Sequence, residues 1–378
     1  MKFQIQKAVL QDVLSSVISA VPNKATFQIL NNFALRLEGN FLEISATDLD
    51  LGIKVTEEVH GERDGAVIVN AKRLSEQVKG LCDPAISTVT FDVQDYLTRL
   101  SWGSGERSGA SIPGFDASDF PPFTEVEDGT VLHISAAELK FLTEKTLFAV
   151  STDSIRLALN GVFFEAKDGK ISMVATDGHR LGRAAIEQPE GSAVTLEHGV
   201  IIPPKVLQHV FRNVSDDAVV EIRISGTHIL FSSENVQVIS KLIEGPYPKY
   251  ENVIPTNFER TVQARTSEFV NKLRCVLPMA NPRTRQVRLQ IENSFLELSA
   301  SDPEVGGSAA EELAVNHEGD GSFSIGFNGN FLLEILGMCK TEEVRMKMTT
   351  PTGACIIEPV GEGQNFSFLL MPLRLVED

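Results

Sequence analysis

KISMVATDGHRLG (170–182) decides how this chain is organised, because the sequence holds its pattern three times. FLEISATDLDLG (41–52) and FLELSASDPEVGG (295–307) share its plan, an alternating apolar run that ends in Thr-Asp or Ser-Asp and then turns. The aspartates Asp48, Asp177 and Asp302 lie 129 and 125 residues apart, close to a third of the 378-residue chain. Other landmarks keep the same phase: Leu30-Asn31 and Leu159-Asn160 are again 129 apart, and IPGFDASDFPPF (112–123) answers IEGPYPKYENVIP (243–255). Self-similarity in constant phase marks a repeated domain. The Pro-rich stretches read as linkers near 125 and 257, so domains are expected over 1–125, 126–257 and 258–378.

Amphipathic stripes recur between the repeated strands. Leu10, Val13, Leu14, Val17 and Val21 follow helical spacing, and Leu74, Val78 and Leu81 form a second stripe. In the second repeat Ser135 and Glu138 form a capping box ahead of ELKFLTEKTLFAV, and Pro204 opens KVLQHVF. The third repeat offers SEFVNKLRCVL (267–277) and NFLLEIL (330–336). These spans predict helices over 7–21, 71–81, 138–150, 204–213, 266–277 and 328–337, two in each repeat. Alternating runs such as RLQIENSFLELSA (288–300) read as antiparallel strands. The fold class is α+β: three repeated domains, each with two helices packed on antiparallel sheet.

A composition of 42% apolar and 22% charged residues is that of a globular protein. No apolar run reaches the ~18 residues of a membrane helix. MKFQIQKAVLQ lacks the unbroken apolar core of a signal peptide, so a cytoplasmic protein without a membrane partner is expected. Cys82, Cys275, Cys339 and Cys355 form no CxxC, which favours buried reduced thiols over a metal site or a disulfide framework. No cofactor is implied.

A net charge of −17 argues against broad nucleic-acid binding unless positive charge is concentrated somewhere. The six predicted helices hold ten basic residues (Lys7, Lys72, Arg73, Lys79, Lys140, Lys145, Lys205, Arg212, Lys272, Arg274) against six acids (Asp12, Glu76, Glu138, Glu144, Glu268, Glu334). They are the basic part of an acidic chain. Charges on one amphipathic helix are ordinarily its solvated face. The bias over six helices suits a surface turned toward a polyanion.

Asp177 and His179 are the obvious catalytic candidates, as a base and its orienter. An i, i+2 pair in a turn does not supply the geometry of a triad. G-x-S-x-G and the Walker pattern are absent. Only the second repeat carries Gly178-His179-Arg180; the sister turns read TDLDLG and SDPEVG. A modified copy of a structural turn points to a binding site and to no catalytic residue.

VATDGHRL in the middle repeat, PYPKYENVIP at its end and the terminal FLLMPLRL together resemble the bacterial sliding clamp family, the beta subunit of DNA polymerase III. The resemblance covers the whole chain. It implies a non-catalytic ring-shaped homodimer, joined head to tail, with helices lining the hole and sheets outside. The implied partners are encircled double-stranded DNA, the DNA polymerase III alpha subunit, the clamp loader, and other proteins with a clamp-binding motif, including those of the 3′–5′ exonuclease complex. Two alternatives of other classes remain at this point: a hydrolase using Asp177 and His179, and an acidic scaffold that binds peptides but never DNA.

The resemblance also implies site residues. Its peptide cleft falls on Leu159, Thr176, Gly178, His179, Arg180, Leu181, Pro248, Val253, Leu370, Met371, Pro372, Leu373, Arg374 and Leu375. Leu, Met, Pro and Val would wall an apolar pocket, with His179, Arg180 and Arg374 as a polar rim. The chain runs on past Leu375 with Val376, Glu377 and Asp378. Lys24, in the loop PNKATF, matches a DNA-facing position, and Arg73, Lys79, Arg156, Lys205 and Arg283 join it by location. The seam between copies falls on Val276 and Leu277, facing a first-domain edge near Gly105 to Ala110.

Overall fold

The computed structural model describes residues 1–103, 108–124, 126, 128–188, 194–302, 306–361 and 365–375. It divides into two compact units: Met1–Lys140 with Lys205–Leu242, and Phe141–Pro204 with Ile243–Asp378.

The first unit holds a thirteen-stranded sheet that reads as three blocks. One block runs Thr130–Ser135, Val219–Ile224, His228–Ser233, Val236–Lys241; the next runs Leu51–Glu58, Phe41–Thr47, Asn32–Glu38, Gly65–Asn70. The last runs Gly109–Phe115, Leu97–Trp102, Thr88–Gln94, Lys2–Gln6, with His60–Arg63 at the edge. The second unit has a nine-stranded sheet: Val200–Ile202, Val162–Lys167, Lys170–Thr176, Arg180–Glu187, then Phe366–Leu370, Cys355–Pro359, Glu343–Met348, Arg260–Arg265 and the edge strand Asn316–Glu318. A separate four-stranded sheet runs Ser308–Ala314, Phe295–Ser301, Gln286–Glu292, Phe323–Asn328.

Two kinds of four-stranded block therefore alternate, each occurring three times among the described residues. They join by one rule. The strand that leaves the Thr-Asp turn pairs antiparallel with the last strand of the other kind: Leu51–Glu58 with Val236–Lys241, and Arg180–Glu187 with Phe366–Leu370. The corresponding strand of the third repeat, Ser308–Ala314, is an edge strand. The last strand of the first repeat, Gly109–Phe115, meets Gly65–Asn70 only through Gly114 and Phe115. Strand sequences alternate as the pleat demands, with Gln286–Glu292 burying every second residue.

Among the described residues six α-helices lie where the periodicity predicts them: α1 Lys7–Val17, α2 Ala71–Lys79, α3 Ala136–Thr146, α4 Pro204–Asn213, α5 Thr266–Val276 and α6 Gly329–Met338. The first, third and fifth tighten into 3-10 turns, so their α-helical parts are shorter than the apolar stripes suggest. The capping box forms at α3, where Ser135 Oγ donates to Glu138 Oε2 at 2.6 Å and accepts from Glu138 N at 3.2 Å. Asn328 caps α6 by accepting from Asn330 N at 3.0 Å. The buried faces are the predicted ones, Leu10, Val13, Leu14 and Val17 on α1 and Leu74 and Val78 on α2.

The cysteine expectation is half wrong: Cys339 and Cys355 are buried, while Cys82 and Cys275 are exposed free thiols. Cys275 lies on α5 between buried Leu273 and Val276, where one step in the helical period decides between core and water, and Cys82 lies beyond the end of α2. Among the described residues no helix is long and apolar enough to cross a membrane.

Candidate peptide-binding site

Two short polar side chains build the turn after Lys170–Thr176. Thr176 Oγ1 donates to the Arg180 carbonyl at 2.7 Å and accepts from Gly178 N at 3.1 Å. Asp177 Oδ1 accepts from His179 N at 2.8 Å and Arg180 N at 2.9 Å. Gly178 sits at φ +88°, where an L side chain is rarely tolerated. The first repeat makes the same turn bond for bond. Thr47 Oγ1 donates to the Leu51 carbonyl at 3.0 Å and accepts from Leu49 N at 3.0 Å, while Asp48 Oδ1 accepts from Asp50 N at 3.1 Å and Leu51 N at 2.7 Å. In the third repeat Asp302 is nearly buried and accepts from Asn281 Nδ2 at 3.2 Å; residues 303–305 lie outside the described ones.

These bonds decide the role of Asp177. One of its oxygens takes two amides and the other takes Arg180 Nε at 3.1 Å, so the carboxylate is a turn-builder. His179 beside it is exposed.

The backbone carbonyl of His179 accepts from Met371 N at 2.8 Å, and Arg180 and Leu181 stand opposite Leu370 and Leu369. This register sets Thr176–Leu181 directly beside the C-terminal segment. That segment is anchored further on, where Leu373 N donates to the Gly326 carbonyl at 2.8 Å and Gln286 Nε2 to the Arg374 carbonyl at 2.9 Å. Beneath lies a cluster of Val174, Leu181, Tyr250, Ile356 and Leu369, with Phe163, Tyr247 and Ile254 packed against it. Tyr247 stacks on Phe163 at 4.9 Å, and the Tyr250 hydroxyl donates to Glu165 Oε1 at 2.7 Å. Burial, then the Glu165 carboxylate, raises the Tyr250 hydroxyl well above the usual phenol range, so it stays a donor.

The cleft residues divide by depth. Leu159, Leu181 and Leu370 are buried at 8%, 2% and 0% exposure and form the floor. Thr176, Pro372, Leu373 and Leu375 are half-buried, whereas Gly178, His179, Pro248, Val253, Met371 and Arg374 are exposed. Val253 at 54% and Met371 at 37% are large apolar groups held in water. An apolar floor, exposed apolar walls and a basic rim can seat a short peptide. Residues 376–378 lie outside the described ones.

The sequence matches the DNA polymerase III beta subunit throughout: its N-terminal domain over residues 1–124, its central domain over 133–249 and its C-terminal domain over 251–374. The chain belongs to this family. The beta sliding clamp of Caulobacter vibrioides is 32% identical over 99% of this chain and 100% of the relative, and that of Pseudomonas putida is 30% identical with the same coverage. A solved sliding clamp from Pseudomonas aeruginosa, bound to griselimycin, has 28% identity and a TM-score of 0.93 over 99% of this chain and all of that one. The clamp from Bacillus subtilis, at 27% identity, has a TM-score of 0.91 with both chains fully covered. The family is that of the sliding clamp of DNA replication, a non-catalytic processivity factor whose partners are DNA and a DNA polymerase.

Several residues of this clamp stand elsewhere than the sequence suggests. Arg180 is no rim residue: only 11% of its side chain is exposed. Its guanidinium donates to Asp177, to the Phe148 carbonyl at 2.8 Å and to Glu334, and lies 4.3 Å from the Phe331 ring centre. Arg156, expected to face DNA, lies beside Gly178, where a Cβ on the glycine would lie 2.9 Å from its Nη1. The only hint of this in the sequence is its place on the loop that leads to Leu159.

Val276 is fully buried in its own core and cannot be a seam contact; Leu277, half-buried, still can. Lys24, Arg73, Lys79 and Arg283 are exposed, while Lys205 is tied to Asp48 at 2.5 Å. The helical charge count also needs correction. Lys7 donates to the Leu81 carbonyl at 3.2 Å, Lys145 is buried and donates to the Met338 carbonyl at 2.7 Å, and Lys272 pairs with Glu311 at 2.6 Å. Lys140 pairs with Asp216 at 2.5 Å. These lysines brace the fold, leaving Lys72, Arg73, Lys79, Arg212 and Arg274 as exposed helical cations.

Proposed function

We propose that two copies of this chain close head to tail into a ring around duplex DNA and carry their partners in the cleft at Thr176–Leu181 and Leu370–Leu375. The observation that carries the ring is the joining rule of the blocks. Within the chain, the strand after the Thr-Asp turn pairs with the last strand of the next repeat at both internal junctions. The same two kinds of strand are left open elsewhere: Ser308–Ala314 is an edge strand, and Gly109–Phe115 is open on one side except at Gly114 and Phe115. Open edges seek partners. Pairing them between two copies repeats the junction twice and leaves no growing end. The boundaries 1–125, 126–257 and 258–378 then mark six similar domains around the ring. Leu277 flanks this seam; residues 104–107 of the facing edge lie outside the described ones.

DNA is held by enclosure, in this reading. Lys24, Arg73, Lys79 and Arg283 supply sequence-independent attraction to phosphates, weak and salt-sensitive, which lets the duplex slide. The cleft receives a short peptide of the Gln-Leu-x-Leu-Phe type from the DNA polymerase III alpha subunit, from the clamp loader and from other proteins with that motif. Each large side chain seated there contributes about 1.5–3 kcal/mol, enough for micromolar affinity after ordering costs.

Hydrogen exchange joined to sedimentation tests the ring. The protein should sediment at twice the chain mass, and outward amides of Ser308–Ala314 and Gly109–Pro113 should be protected in that species. A monomer, or a dimer in which both edges exchange as freely as loops, would overturn the proposal.

A further inference from the structure

The two internal junctions share one register. Leu51 stands opposite Ser240 and Ile53 opposite Val238 at the first, as Arg180 stands opposite Leu370 and Gly182 opposite Phe368 at the second. The ladders fix the matching positions on the open edges. Ile53, Gly182 and Ala309 each pair with the alanine two residues before the turn aspartate: Ala46, Ala175 and Ala300. Ile243, Leu373 and Phe115 each pair with the residue three places before a helix: Ile201, Gly326 and Ile68. Five places back from them stand Val238, Phe368 and Ala110. Ala309 and Ala110 are therefore the third version of a pair that reads Ile53 with Val238 at the first junction and Gly182 with Phe368 at the second.

This third version is made of smaller parts and is still uncovered. Val238 and Phe368 are at most 1% exposed in their junctions, whereas Ala110 and Ala309 are only half-buried. At the second junction Phe148, in the 3-10 turn that ends α3, lies edge-on to Phe368 with ring centres 5.5 Å apart, and a Cβ on Gly182 would lie 3.0 Å from its ring. The same turn after α5 carries Pro278 and Met279, both exposed, Met279 at 45% although its counterpart Ala149 is buried. The Met279 sulfur lies 3.5 Å from where a Cβ on Gly307 would stand, so it leans on the start of the open strand as Phe148 leans on Gly182. One amide is also missing. Lys241 N and Met371 N donate to the Asp50 and His179 carbonyls at 2.9 and 2.8 Å, and the matching residue of the first repeat is Pro113, which has no N–H. We infer that a second copy docks in the register of the internal junctions, Ala309 of one copy opposite Ala110 of the other and Gly307 opposite Ile112, with Met279 as the apolar side chain that closure takes out of water. Among the described residues the seam is thinner than either internal junction, and Met279 carries most of its apolar contact. The inference rests on the ring reading for its partner, a second copy, and adds the register and the residues that meet.

The test uses the full-length protein. With Cys82→Ser and Cys275→Ser in place, Ala110→Cys combined with Ala309→Cys should join two copies by a disulfide under oxidised glutathione, because residues directly opposite on paired strands lie within disulfide reach. Ser108→Cys combined with Ala309→Cys, two residues out of register, should link far more slowly. Two seams break when the ring parts, so Met279→Ala should weaken the dimer in sedimentation equilibrium about a hundredfold, roughly tenfold for each apolar anchor lost. Met279 is exposed in the single chain, so this variant should keep the unfolding midpoint of the monomer. Faster linkage of the Ser108→Cys pair than of the Ala110→Cys pair, or an unchanged dimer constant in Met279→Ala, would overturn the inference while leaving the ring standing. A wild-type protein that stays monomeric at every concentration would overturn the ring reading and this inference with it, so the two failures are told apart.

Discussion

Arg180 has five N–H donors and no acceptor, and it spends them on Asp177, the Phe148 carbonyl and Glu334. Breaking such charged bonds while the partners stay in place costs about 2–4 kcal/mol. Arg180→Met should therefore lower the unfolding free energy by roughly 3 kcal/mol in urea titration. His179→Ala removes an exposed ring and should change stability by less than about 0.5 kcal/mol while weakening the cleft peptide.

His209 gives a second residue-scale outcome. Its Nδ1 lies 2.7 Å from Ser19 Oγ, and burial first, then Arg212 and Lys205, lowers its pKa from 6.5 to about 4. The unfolded chain binds this proton more readily, so stability present above 6.5 is lost as pH falls toward 4. The loss amounts to about 3 kcal/mol, and His209→Asn should flatten the stability profile across that window. The part of Asp177 was legible because its turn recurs in a sister copy. The directions of Arg180 and Val276 were not, since a side chain's aim depends on packing from elements far off in sequence.

At the scale of elements, helices came out where apolar spacing and capping residues placed them, because both signals are local. Strand existence was equally legible, but strand order was not. No local pattern announces that Arg180–Glu187 will pair with Phe366–Leu370, nearly half a chain away. The helical charge bias misled for a related reason: Lys140 and Lys145 look like surface lysines by period yet serve as braces. The C-terminal segment carries the element-scale prediction. Deleting Met371–Asp378 removes a cleft wall but neither open edge strand, so calorimetry should find peptide binding lost while sedimentation finds the dimer intact. Undiminished binding by the truncated chain would move the site elsewhere.

For the whole molecule, a net charge of −17 and a duplex partner are compatible if the duplex is enclosed more than gripped. Enclosure needs closure, and the two open strand edges are the feature that allows it. The period of the repeats was readable in the sequence, whereas the joining rule that predicts the seam had to be seen in the sheets. Affinity for short linear duplex should be weak and fall with salt, because few phosphate contacts are available. The most direct measurement is retention on DNA of defined topology. Protein loaded onto a nicked circular plasmid should remain with it through gel filtration at moderate salt and be lost once a restriction enzyme cuts the circle. Retention on the linearised plasmid equal to that on the circle would contradict enclosure.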